Sequence, residues 1–145
     1  MVPTPEHSTL PAGHAAEAYM AARVLQALLL DVRGTGVSSP LFAQLELLAR
    51  RIAINRTVAG VHCPVDNIAG RMLGETMAAY FVHRCASHIS GSSHAEWYDW
   101  TFEPVDSKVD FPSSTGLTKG SSHKTTVAPY KLLEWLWKQA LSEWQ

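Results

Sequence analysis

Two short segments of this sequence hold residues whose types and spacing could do chemistry. The first places Arg56, His62 six residues later and Asp66 four further on; the second is Pro11-Ala12-Gly13-His14. An arginine fork can clamp phosphate-like oxygens through paired N–H donors. A carboxylate on one imidazole nitrogen fixes the tautomer and leaves the other nitrogen as nucleophile or ligand, and Asp66 is within reach of His62 for that purpose. Pro64 suits the first turn of a helix. His62 therefore sits at a helix N-terminus, where free N–H groups and the dipole favour an anion. Gly60 lets the backbone turn ahead of it. Gly13 allows close backbone approach with its N–H facing an oxyanion at another helix start, and His14 is then a positioned general acid or base. With seven histidines in the chain, either segment alone could be a plain helix junction. The two together, each at a predicted helix start, point to one oxyanion pocket.

The elements that would position these residues are helical. Good helix formers run from His14 to Val32, ended by Gly34 and Gly36. A second helix is predicted over 39–57, capped by Ser38 or Ser39 with Pro40 in the first turn. Its apolar stripe reads Leu41, Leu45, Leu48 and Ile52. A third runs from Pro64 to about Ser87 with Ile68, Met72, Leu73, Met77 and Tyr80 as its apolar face. A last helix, 129–143, carries Leu132, Leu133, Leu136, Trp137 and Leu141. Residues 89–127 are rich in Ser, Gly, His, Pro and Asp and read as a long functional loop or lid. The expectation is an all-α fold: a helical bundle of about four helices, with a long loop before the last, forming one domain over 1–145.

Composition narrows the class. At 145 residues, 46% hydrophobic and 17% charged, the chain is an ordinary globular sequence able to bury a core. A formal charge of -1 indicates no general polyanion-binding surface, and nothing in the composition argues for nucleic acid. No apolar run is long enough to span a bilayer, and the N-terminus has neither the basic nor the apolar part of a signal peptide. Cys63 and Cys85, on one helix, would lie roughly 33 Å apart, too far for a disulfide, so both read as free packing thiols. His83, His88, His94 and His123 match no metal-ligand spacing. The five tryptophans, all in the last third, read as core or interface residues. His7 is a minor candidate for the pocket mouth.

The two segments resemble a known family. Pro11-Ala12-Gly13-His14 is similar to the Pro-Ser-Gly-His motif of the phosphatidic acid phosphatase type 2 / vanadium haloperoxidase superfamily. Asn55-Arg56, His62 and Asp66 are similar to its Ser-Arg-x5-His-x3-Asp motif, and the resemblance covers roughly residues 5–85. It implies a helical bundle. It also implies that His62 is the phosphate-accepting nucleophile or the ligand that binds vanadate. His14 would be the acid/base group, Arg56 and Gly13 the oxyanion donors, and Asp66 the residue that orients His62. Ala12 and Asn55 stand where the family has serines. The family's earlier motif, a lysine followed by Arg-Pro, has no counterpart ahead of Pro11. Its loss would weaken anion binding by several kcal/mol, at about 1.5–3 per charge-assisted bond. Lys119, Lys124 and Lys131 read as solvated surface rather than substitutes.

Two enzymatic readings follow from the resemblance. In the first, vanadate on His62 is the cofactor, and peroxide and halide are the substrates of a haloperoxidase. In the second, a soluble acid phosphatase takes a phosphomonoester through a phosphohistidine. A non-catalytic remnant of the fold is the third reading. A bundle lacking its first half would expose apolar faces, so a second copy or a complementing chain is the expected partner besides the small oxyanion.

Overall fold

The computed structural model describes residues 9–33, 40–85, 94–102 and 117–144. In chain order the elements are α1 (Gly13–Arg33), α2 (Pro40–Val58), α3 (Pro64–Cys85), β1 (His94–Phe102), β2 (Leu117–Thr126) and α4 (Lys131–Glu143). His7, His88, the capping serines 38 and 39 and the glycines 34 and 36 lie outside the described residues. The architecture is a helical bundle with one small two-stranded sheet. Among the described residues, no helix is long and apolar enough to cross a membrane.

α1 is the central helix. It runs parallel to α3, because Gly70 of α3 faces Ala12 and Gly74, one turn on, faces Ala16. A Cβ at Gly70 would collide with the Ala12 carbonyl oxygen and lie 2.9 Å from the Ala15 Cβ. One at Gly74 would meet the Ala16 carbonyl oxygen, with the Ala16 Cα at 3.0 Å. The two backbones touch, and Ala12, Ala15 and Tyr19 are fully buried along this seam. α2 returns antiparallel on α1: Arg23 meets Glu46, and the Gln26 side-chain N–H donates to the Phe42 carbonyl at 3.1 Å. α4 closes the opposite end, where buried Trp137 packs with Cys85 and donates to Asp31 at 2.9 Å.

This packing corrects the expected apolar faces. α2 buries Ala49 and Ala53 and leaves Leu41, Leu48 and Ile52 exposed. α3 buries Ile68 as expected, but beside it Gly70, Gly74, Ala78 and Cys85, while Leu73, Met77 and Tyr80 face outward. Small residues win the interior because helices this close leave no room for branched side chains. In α4, Leu132 and Leu136 are likewise exposed. Of the two cysteines, Cys85 packs and Cys63 is exposed.

The segment expected as a long loop carries a hairpin. β1 pairs antiparallel with β2 from His94–Thr126 to Phe102–Leu117, with an irregularity between Tyr98 and Trp100. β1 has the aromatic residues that favour strands, whereas β2 is a polar strand interrupted by Gly120, which hides it from any search for alternating apolar residues. Trp97 stacks on His123 across the pair at 5.7 Å, and His123 Nε2 lies 2.8 Å from Asp99 Oδ2.

A ring of four charges joins the three long helices midway along the bundle. Arg23 reaches Glu75 at 2.8 Å and Glu46 at 3.4 Å; Arg71 reaches the same two carboxylates at 3.0 and 3.1 Å. Arg71 also lies over the Tyr19 ring at 4.9 Å. Burial pushes the Tyr19 hydroxyl above its ordinary range.

Two measurements test this packing. In an exposed helix, Gly→Ala gains about 1 kcal/mol. At Gly74 the sign is expected to reverse, with Gly74→Ala losing about 1–3 kcal/mol as a lower urea midpoint. Burial also pushes the Cys85 thiol up to about 11 from 9.0. The stability this neutral thiol contributes is present below pH 9 and is lost as pH rises through about 11. A thiol reagent at neutral pH should modify Cys63 at once and Cys85 only on unfolding. Equal rates would contradict the burial.

Candidate oxyanion site

Three helix ends converge at one end of the bundle, and backbone hydrogen bonds fix each to the next. α2 ends in a Schellman motif. The Val61 N–H donates to the Arg56 carbonyl at 3.1 Å and the Gly60 N–H to the Thr57 carbonyl at 2.9 Å. Gly60 has φ +72°, the left-handed conformation this motif requires and that a side chain would strain. The reversal therefore fastens the backbone of Arg56 to the residue directly before His62.

α3 then begins at Pro64, with Cys63 as the residue before its first turn. Asp66 reaches back, and its Oδ2 accepts the Cys63 N–H at 2.9 Å. This is one half of a capping box. The same oxygen lies 3.4 Å from His62 Nδ1. Asp66 thus holds the turn by its shorter bond and the imidazole by its longer one, leaving His62 Nε2 free of the carboxylate. Both side chains are largely buried, at 9% and 7% exposure.

The first segment is brought in by one bond: the Ala12 N–H donates to the Asp66 carbonyl at 2.9 Å. Ala12 is therefore the junction between the two motifs. The first intrahelical bond of α1 runs from the Ala16 N–H to the Ala12 carbonyl. The N–H groups of Gly13, His14 and Ala15 precede it, so the positive end of α1 opens beside that of α3. Gly13 and His14 are exposed, and a Cβ built on Gly13 meets nothing within 4 Å. The backbone edge there is open to an incoming group.

Arg56 is half-buried in the last turn of α2, and its Nε is buried with no hydrogen-bond partner among the described residues. A buried guanidinium N–H without an acceptor is costly. A tetrahedral oxyanion supplies the acceptor that such a donor satisfies best. Two helix N-termini, this donor and an imidazole at the start of α3 together suit a phosphate-like anion. Vanadate, having the same shape and charge type, fits the same donors.

The sequence pattern of the PAP2 superfamily matches residues 2–89, which include both segments. The chain belongs to the PAP2 superfamily. No curated protein and no solved structure matches it. Membership agrees with phosphatase- or haloperoxidase-type chemistry in the broad sense. All five residues singled out from sequence, Gly13, His14, Arg56, His62 and Asp66, belong to helix ends or turns that the structure joins. Lys124 and Lys131 are exposed, on β2 and at the start of α4. Two residues of the junction escaped sequence reasoning. Asn67 is fully buried and donates to Thr57 Oγ1 at 2.7 Å. Neither belongs to a motif, and an Asn after an Asp in a first helical turn reads as solvent-facing.

Because Asp66 serves the turn first, Asp66→Ala is expected to cost about 1 kcal/mol of stability, seen as a lower denaturation midpoint. Asp66→Asn should weaken both contacts while keeping the shape. An unchanged midpoint in Asp66→Ala would remove the capping role.

Proposed function

We propose that this chain is an oxyanion-handling enzyme that holds vanadate at His62 and oxidises halide with peroxide. The reading is supported by the buried Arg56 Nε, without a hydrogen-bond partner among the described residues, in a turn fastened to the residue before His62, whose Nδ1 faces Asp66. In it, His62 Nε2 holds the anion, Arg56 and the Gly13 N–H donate to its oxygens, and Asp66 keeps the imidazole in the tautomer that leaves Nε2 as ligand. Vanadate, when bound, supplies the Lewis-acid centre that activates peroxide. His14, exposed in the first turn of α1, would exchange protons with solvent and with a group held at His62.

The second reading uses the same atoms. His62 Nε2 attacks the phosphorus of a phosphomonoester, the bond to the leaving oxygen breaks, and His14 protonates that oxygen. Water then takes the phosphoryl group from the imidazole, giving up a proton to the same base. Its support is that every donor named is equally suited to phosphate.

The test is an orthovanadate titration by calorimetry on the parent chain and His62→Ala. Saturable binding lost in His62→Ala is the expected result. Halide-dependent peroxidase activity with added vanadate selects the first reading, and phosphomonoester hydrolysis blocked by vanadate selects the second. Absence of binding in the parent would sink both and leave the non-catalytic remnant.

A further inference from the structure

The α2–α3 junction holds a polar contact that the chemistry above does not use. Asn67 has no exposed surface, and one of its amide hydrogens goes to Thr57 Oγ1 at 2.7 Å. Its carbonyl oxygen is buried with no hydrogen-bond partner among the described residues. Burying an amide and leaving half of it unsatisfied costs stability that an apolar residue of similar size would not cost. Such a group calls for an account of what it gains.

Its place in the chain supplies one. Thr57 follows Arg56 directly, and Asn67 follows Asp66 directly. The bond therefore crosses from the residue beside the oxyanion donor to the residue beside the imidazole's partner. Both flanking turns are already fastened along the chain: Val61 N–H to the Arg56 carbonyl, and Cys63 N–H to Asp66. Those bonds fix the reversal from 56 to 66 as a loop, but a loop can still swing about its two ends. The Asn67–Thr57 bond closes the base of that loop and sets how the last turn of α2 sits against the first turn of α3. From α2, the buried cluster shared with α1 and α3 takes Ala49 and Ala53, with Leu45 and Ile54 packed against it.

We infer that Asn67 and Thr57 are positioning residues for Arg56: their bond holds its guanidinium in register with His62, so that its Nε–H is presented to the anion rather than turned to solvent. The inference rests on the oxyanion reading and adds to it the pair that preorganises the donor. Preorganisation matters because a donor that must be ordered on binding gives up part of its gain in lost side-chain freedom.

The experiment uses the full chain as parent, Thr57→Val, Thr57→Ser, Asn67→Ala and the Thr57→Val/Asn67→Ala double variant. Thr57→Val keeps shape and removes the acceptor, so it remains informative if Asn67→Ala does not fold. The first readout is the solvent-exchange rate of the Arg56 Nε–H by nitrogen-15 NMR, with no oxyanion added. The second is orthovanadate affinity by calorimetry. Expected are slow exchange in the parent and in Thr57→Ser, and exchange at least about tenfold faster in Thr57→Val. A matching loss of about tenfold in vanadate affinity should accompany it, the scale seen when support behind a contacting group is removed. The double variant should be no worse than the weaker single one, as for two halves of one bond. Exchange in Thr57→Val equal to the parent overturns the inference. So does an effect that Thr57→Ser fails to restore. Because exchange is read without an anion, a parent that binds no vanadate removes the oxyanion reading while the rates still decide the clamp.

Discussion

The candidate site depends on two helix backbones coming so close that no Cβ fits between them. At Gly70 and Gly74 the surface of α3 is bare backbone, and α1 answers with Ala12, Ala15 and Ala16. Only at that separation can the Ala12 N–H reach the Asp66 carbonyl. Only with that bond do Gly13 and His14 start their helix beside His62. The energetic origin is dispersion between tightly fitted atoms rather than burial of large side chains. This explains why α3 can turn Leu73 and Met77 outward and still pack on α1 more extensively than α2 or α4 does.

From this seam outward, the site is assembled largely around main-chain groups. The Schellman reversal, the half capping box and the Ala12–Asp66 bond each satisfy a main-chain group at a helix end that has no intrahelical partner. Helix termini need partners in any fold. Here three termini satisfy part of one another's need, with Arg56 in the last turn of α2 and His62 just before α3.

Much of this was legible in the sequence, and the parts that were not have physical reasons. Arg56, Gly60, His62, Pro64 and Asp66 announce a helix end, a left-handed turn and a helix start, because each residue type is suited to one step of that path. The four helices were legible from propensity and punctuation. Which face of each helix turns inward was not. Periodicity weighs Leu and Ile heavily and Gly and Ala hardly at all, so it chose Leu41, Leu48 and Ile52 over Ala49 and Ala53. The hairpin was missed because β2 is polar and its partner lies across an intervening segment. Asn67 and Thr57 were missed because a side-chain bond between residues ten apart leaves no pattern in a single sequence.

On the oxyanion reading, the ring formed by Arg23, Glu75, Arg71 and Glu46 bears on where an anion settles. Its charges alternate in sign and sum to zero, so its field is that of a quadrupole and dies away far more steeply than that of a lone cation. Two guanidiniums that could lure an oxyanion down the bundle are thereby silenced. Arg23 and Arg71 sit near the midpoints of α1 and α3 without offering an anion a rival resting place.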